Sequence, residues 1–183
     1  MEQKDIIINE AIRLFLKEGV DLKLIDIATN IGISKKSIYR YFDGKEDLLL
    51  QSVKALFSNI HKEQDEIFNV KNIDDLEKLK KLMIAMPKDF SNFDVNFLVD
   101  LNKQYPNVYK KVNYYLESDW EQTYSLLDLC KKKGLIKNID NKVFRNMFLG
   151  CTERLFQKTD LDLNIDDLQE QMIEILIGGI KNA

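Results

Sequence analysis

A chain of 183 residues, 45% of them hydrophobic, can bury a real core as one domain or two small ones. No apolar run approaches the roughly 20 residues of a membrane span, and no signal-peptide pattern opens the sequence, which excludes a membrane partner and points to a cytoplasmic protein. The net charge of −3 excludes a uniformly basic nucleic-acid binder but not a locally basic face, because screening limits each charge to about 8–10 Å.

The two cysteines, Cys130 and Cys151, lack metal-ligand spacing and read as reduced, apolar-packed thiols. Proline occurs only at Pro87 and Pro106, glycine is sparse, and β-branched alternation is absent, so the chain reads as all-α. Helix one is expected from near Lys4 to Glu18, closed by Gly19.

The stretch Lys23–Phe42 then carries two short helices. Leu24, Ile27, Ala28 and Ile31 repeat at helical spacing, Gly32 breaks the pattern, and Ile33 returns toward the core. Ser34 can cap a second helix that buries Ile38 and Phe42 and turns Lys35, Lys36, Ser37, Tyr39 and Arg40 to other faces. Lys35, Lys36, Arg40 and Lys45 oppose Asp43 alone, a local excess of three positive charges. Two short helices joined by a Gly-containing turn, the second basic outside, read as a helix-turn-helix. Asp43 is expected to cap the next helix, with Glu46 as its capping-box partner.

These residues carry a specific resemblance. Ile7, Ile8, Ala11, Leu14, Phe15 and Gly19, followed by Ile27-Ala28, Gly32-Ile33-Ser34, Ile38 to Phe42 and Lys45 to Leu48, resemble the N-terminal domain of TetR-family transcriptional regulators. The resemblance covers about the first fifty residues. It implies a three-helix DNA-binding domain (1–44, helix-turn-helix 23–42) joined by a long helix to a ligand-binding and dimerisation domain (45–183). It also implies phosphate contacts by Tyr39 and Lys45, while Lys35, Lys36 and Ser37 stand where a recognition helix reaches base edges. Lys23, Ser34, Arg40 and Tyr41 complete the candidate DNA-contact set; Tyr41 either touches DNA or packs on helix one, and Arg40 is equally a solvent residue. Two departures stand out. Leu22-Lys23 occupies the place where the family usually carries Thr, which leaves Asp21 as the expected cap of helix two; Ile31 replaces a usual Ala.

A long fourth helix is expected from Gly44 to Phe68, with Leu49, Val53, Leu56, Phe57, Ile60, Ile67 and Phe68 on its apolar side. Helix five is expected over Asn72–Met86, helix six over Asn92–Gln104, and helix seven unbroken from Pro106 to Lys133, where Gly134 stops it. Helix eight follows over Asp140–Gln157 and helix nine over Ile165–Ile180, both apolar on more than one stripe. Lys133–Ile136 and Gly178-Gly179 also look like C-terminal halves of the family.

The resemblance implies an effector pocket among helices four to seven. Phe57, His61, Phe93, Phe97, Trp120 and Tyr124 are its candidate wall, although most mid-chain aromatics are ordinary core and His61 reads first as an exposed or core-edge filler and second as a pocket group. The excess apolar surface of the last two helices places Phe144, Phe148, Cys151, Met172 and Leu176 at a homodimer interface. Asp160, Asp162, Asn164 and Asp166 alternate like a calcium loop, but Ile165 and Gln171 stand where the sharp-turn Gly and closing Glu are required, so a polar loop is expected. No P-loop, dinucleotide fingerprint, GxSxG or Cys-His pair is present, so neither an enzyme nor a cofactor or metal is expected. The expectation is a repressor that binds a double-stranded palindromic operator as a dimer and is released by a largely apolar small molecule. The alternatives are an activator, a regulator governed by a protein partner, or a helical dimer without DNA activity.

Overall fold

The computed structural model describes residues 2–85, 97–157 and 165–182. Among these residues the chain is all-α. Helices α1 (Gln3–Glu18), α2 (Leu24–Asn30), α3 (Lys35–Ile38) and α4 (Lys45–Asn69) are followed by α5 (Asp75–Ile84), α6 (Phe97–Gln104) and α7 (Pro106–Glu117). The last three are α8 (Glu121–Lys132), α9 (Asn141–Gln157) and α10 (Ile165–Ile180), and a 3-10 turn, Gly19–Asp21, links α1 to α2.

Local chemistry sets most of these boundaries. Glu2 and Asp5 form a reciprocal capping box at the start of α1, and Gly19, at φ 72°, closes it in the left-handed region that favours glycine. Asp74 caps α5 by accepting the Leu76 and Glu77 amides at 2.9 and 3.2 Å. Helix α5 therefore starts later than the expected Asn72, which itself sits at φ 62° outside the helix. The cap of α4 is Gly44 and not Asp43. Asp47, one residue beyond the expected partner, accepts the Asp43 amide at 3.0 Å, while Glu46 accepts from Asn107 of α7 at 3.1 Å.

The expected unbroken helix seven is two helices. The chain breaks at Ser118–Trp120, with Asp119 at φ 63°. The Trp120 indole Nε1 donates to the Leu116 carbonyl at 3.0 Å, the acceptor that a continuing helix would offer to the Trp120 amide. The Ser118 hydroxyl meets the Asp119 carboxylate at 3.1 Å, a local side-chain bond of the kind that competes with helix.

The N-terminal core joins Ile7, Ala11, Phe15, Ile27, Ala28, Ile38, Phe42, Leu48 and Leu49 to three residues of α6 and α7: Leu101, Val108 and Val112. The helix-turn-helix is thus held partly by the corner between α6 and α7. A second core gathers Leu79 and Met83 of α5, Leu126, Leu127 and Cys130 of α8, Phe144 of α9, and Ile173 and Ile177 of α10. Helix α4 reaches from the first core toward the second, burying Leu56 and Ile60 against Ile12 and Leu16 on the way. The C-terminal end of α10 is tied down by the Lys137 amide, which donates to the Ile180 carbonyl at 2.7 Å, and by the Asn182 amide, which donates to Leu135 at 3.0 Å.

Candidate nucleic-acid interface

The turn between α2 and α3 rests on Gly32 at φ 70°, after which the Ile33 amide closes back on the Ala28 carbonyl at 2.9 Å. The Ser34 hydroxyl accepts the Ser37 amide at 3.2 Å, making Ser34 the cap of α3, and the two hydroxyls lie 2.9 Å apart. One face of the pair is sealed: Ile27, Ala28 and Ile38 are fully buried and Phe42 nearly so. The other face leaves Lys35, Lys36 and Arg40 exposed and Tyr39 half in solvent at 51%. The Lys35 ammonium lies 5.9 Å from the Tyr39 ring centroid, so reader and phosphate candidates share one surface. Regular α geometry in α3 is short, and the chain continues as turns, with the Tyr41 and Phe42 amides both donating to Ile38 at 3.0 and 3.1 Å.

Other candidates fall differently. Tyr41 packs on helix α1, its hydroxyl donating to Gln3 Oε1 at 3.0 Å. Lys23 is exposed and occupies the cap position of α2, where no side chain caps the helix. Asp21 is not that cap, because its carboxylate accepts from Gln104 Nε2 of α6 at 3.2 Å. Lys45 is turned inward: its ammonium donates to the Val20 carbonyl at 2.5 Å and sits 5.5 Å from the Tyr105 ring centroid. Burial pushes its pKa below the ordinary lysine value, and the nearby Asp21 carboxylate opposes that shift. Burial likewise raises the Tyr105 phenol, with Asp21 and Glu46 adding to it. Gln3 and Lys4 of α1 come beside the turn that follows α3 through Tyr41 and Phe42, with Lys4 5.8 Å from the Phe42 ring, contacts across thirty-eight residues that no local pattern signals.

The effector candidates lie along a seam between α4 and the break from α7 to α8. Phe57 stacks on Tyr115, with centroids 4.7 Å apart. Roughly one turn further along α4, His61 Nε2 meets the Asp119 carboxylate at 3.4 Å. Trp120 packs on Tyr124 at 6.1 Å and edge-on against Phe148 of α9 at 5.7 Å. Phe93 lies outside the described residues, as does the side chain of Phe97. The polar loop with the calcium-like spacing lies outside them too, through Asn164. A concave surface of about 690 Å³ is bordered by Ser125, Asp128, Leu129, Lys131, Lys132 and Asn138, none of them an effector candidate.

The expected dimer residues divide. Phe144 is 2% exposed, and Met172 and Leu176 are 9% and 8% exposed, all packed in the core of their own chain. Little of their surface is exposed on the single chain. Phe148 is half-buried on Trp120, and Cys151 is exposed. Among the described side chains of α9 and α10, the large apolar ones left outside are Val143, Met147 and Ile175. On α9 the exposed Val143 and Met147 each precede an expected residue, Phe144 and Phe148, by one position, about 100° around the helix at 3.6 residues per turn, while Cys151 is exposed as expected.

Comparison with known proteins gives a consistent picture. Residues 7–51 match the model of the N-terminal domain of bacterial regulatory proteins of the TetR family. The chain is 23% identical to YvaF, an HTH-type transcriptional regulator of Bacillus subtilis, over 95% of its own length and 93% of the relative. It is 30% identical to IcaR, the negative transcriptional regulator of the biofilm operon icaADBC in Staphylococcus aureus, over 60% of this chain and 53% of IcaR. The fold superposes on the crystal structure of FadR from Bacillus subtilis in complex with stearoyl-CoA with a TM-score of 0.71, at 21% identity, covering 97% of this chain and 100% of that one.

Proposed function

Since the chain belongs to the TetR family of bacterial regulatory proteins, we propose that it represses transcription as a homodimer on a near-palindromic operator and is released by a small-molecule effector. The observation that carries this reading is the surface of α3. Its apolar side is sealed, its start is capped by Ser34, and Lys35, Lys36, Tyr39 and Arg40 stand together outside. Lys35, Lys36 and Ser37 at the start of α3 read base edges, and Tyr39, Lys23 and Arg40 approach phosphates. The first forty-four residues supply the DNA contacts; the remainder supplies pairing and effector binding. The repressive sense is supported by the likeness to IcaR, a negative regulator.

The dimer forms through the exposed stripes of α9 and α10, with Val143, Met147, Cys151 and Ile175 facing a second copy and Phe148 bordering them. One short recognition helix is too small a reader alone, so two copies enter successive major grooves about 34–36 Å apart. The effector is a largely apolar molecule taken up along the seam of Phe57, His61, Trp120 and Tyr124, and the long acyl chain of the stearoyl-CoA with which a similar fold was solved is in keeping with a ligand that has an apolar part. Its binding and operator binding oppose each other by about 1–3 kcal/mol.

Selection from a random duplex library followed by footprinting tests the reading. The expected product is an inverted repeat, and Lys36→Ala should weaken it more than random DNA, by about 1–3 kcal/mol of discrimination. A single half-site bound as tightly as the full repeat would overturn the dimeric mode.

A further inference from the structure

Between Asn107 and Lys133 the sequence holds neither glycine nor proline, yet α7 ends at Glu117 and α8 starts at Glu121. No cap accounts for this break, because Trp120 stands at the cap position of α8 and makes no side-chain cap bond there. Substitutes for helical bonds hold it instead. The Trp120 indole Nε1 donates to the Leu116 carbonyl at 3.0 Å, and the Ser118 hydroxyl approaches the Tyr115 carbonyl at 3.5 Å. In a continuous helix those two carbonyls would accept the Trp120 and Asp119 amides. Asp119 supplies the turn, at φ 63°, a region that aspartate enters more readily than most residues.

The break also falls where the two cores divide. Tyr115 and Leu116 pack with Val108 and Val112 on the N-terminal core, whereas Trp120 and Tyr124 pack with Leu126 and Leu127 on the C-terminal one. Helices α4 and α9 reach the same short segment from outside. His61 Nε2 lies 3.4 Å from the Asp119 carboxylate, Arg145 Nη2 lies 3.3 Å from that of Glu117, and Phe148 meets the Trp120 ring edge-on.

We propose that Ser118–Trp120 is a two-state joint between the DNA-binding and C-terminal halves, with the Trp120 indole as its latch. While the indole holds the Leu116 carbonyl, the joint is bent. When it lets go, the Trp120 amide takes that carbonyl, Asp119 turns helical, and α7 and α8 run on as one helix. Helix α7 is built into the core beneath the helix-turn-helix and α8 into the other core, so straightening turns one core against the other. The inference rests on the DNA-binding reading above: the bent form is the one that fits the operator, and an effector in the seam acts by drawing the Trp120 ring off Leu116.

Two variants of Asp119 isolate the backbone, because both lose the carboxylate and its contact with His61. Asp119→Gly enters the left-handed region freely and should keep the bend, whereas Asp119→Ala disfavours that region and favours helix. Trp120 is the only tryptophan of the chain, so its indole N–H gives a single cross-peak in a ¹⁵N spectrum. In the wild type and in Asp119→Gly the bond to Leu116 should protect this proton from solvent exchange. In Asp119→Ala it should exchange faster, and helical ¹³Cα shifts should appear at residues 118–120. Affinity is read on a duplex enriched from a random library by the wild-type protein. Asp119→Gly should bind it like the wild type, and Asp119→Ala more weakly by about fivefold or more, within the span of such couplings. Should Asp119→Ala not fold, Trp120→Phe takes its place, keeping an aromatic ring and losing the donor, with the ¹³Cα shifts and the affinity expected to move in the same direction. If Asp119→Gly and Asp119→Ala matched each other in indole exchange or in affinity, the inference would be overturned, as it would by a straightened variant that binds as tightly as the wild type. Failure of the DNA-binding reading looks different: the wild type would then enrich no sequence, and the inference would fall with it.

Discussion

In the N-terminal core, Ile7, Ala11, Ile27, Ala28 and Ile38 are fully buried, and what α3 leaves outside is basic or polar; in the C-terminal core, Leu127 and Ile173 are as deeply buried, but Val143, Met147 and Ile175 stay in solvent. The N-terminal half does expose Ile6 and Ile25, which are scattered singly and need no partner. Among the exposed residues of α9, the apolar or small ones recur as Val143, Met147, Gly150 and Cys151, a regular stripe. The two halves therefore differ in what completes them. The first is closed by a corner of its own chain, through Leu101, Val108 and Val112, and shows charge to the outside. The second is closed over its own core yet keeps an apolar stripe that a second copy can cover.

Substitutions should separate the two cases, and the largest effect belongs to the closed core. Leu101 is on α6 but fully buried with the helix-turn-helix. Leu101→Ala should destabilise the N-terminal half by about 2–5 kcal/mol. Hydrogen exchange should show the loss in α1 to α3, far from the substitution in sequence. If only α6 and α7 lose protection, the shared core is not a cooperative unit.

The next effect belongs to the open stripe. Met147→Asp places a charge where a partner would bury it, and should raise the dimer dissociation constant about a hundredfold or more, roughly 2.8 kcal/mol. The helicity of the chain should be unchanged, because Met147 is 53% exposed. Sedimentation across a dilution series checks this. Phe148→Asp makes the contrast: Phe148 packs edge-on against Trp120 of its own chain, so this variant should lose helicity together with dimer. An unaltered dimer in Met147→Asp would move the pairing surface elsewhere.

A smaller effect concerns the cap that starts the recognition helix. Ser34→Ala removes the acceptor of the Ser37 amide and should cost about 1 kcal/mol. Thermal unfolding should move little, while operator affinity should fall, because α3 is short and this bond organises its first turn. Equal affinity in the variant would show that DNA itself orders α3.

What could be read from the residues divides along the range of the interactions. The helix-turn-helix was legible because Gly32, Ser34 and the spacing of Ile27, Ala28, Ile38 and Phe42 act within a few residues of one another. The bounds of α10 were legible for the same reason. The inward course of Lys45 was not, since Val20 and Tyr105 lie far from it in sequence. The phase of α9 was not either: Val143 and Phe144 are adjacent apolar residues, and only packing against α5, α8 and α10 decides which of them is buried. The break at Ser118–Trp120 had a local cause in the Trp120 indole, but an indole bonding to its own helix is one of several options that such a sequence offers.

The smallest predicted effect sharpens the comparison at the seam between α1 and α2. Glu10 accepts from Arg13 at 2.6 and 2.9 Å and from Asn30 of α2 at 2.8 Å, and the Arg13 bond is the largest of the causes that hold its carboxyl below the usual value. A carboxylate whose pKa is depressed by folding contributes stability that is present above its unfolded pKa. That contribution is lost as pH falls from the ordinary carboxylate range through the lower folded value, because the protonated group can no longer accept as an anion. Arg13 is 45% exposed, so screening should reduce the contribution to a few tenths of a kcal/mol. Stability of wild type and Glu10→Gln, measured by urea unfolding at neutral pH and again well below the carboxylate range, should therefore differ slightly at neutral pH and converge in acid. The C-terminal half has its own depressed carboxylate, Asp128, but that group is exposed and bonds Lys131 and Asn141. Asp128→Asn should accordingly leave the N-terminal half untouched at every pH. A gap between wild type and Glu10→Gln that persists in acid would mean that Glu10 links α1 to α2 through packing and not through its charge.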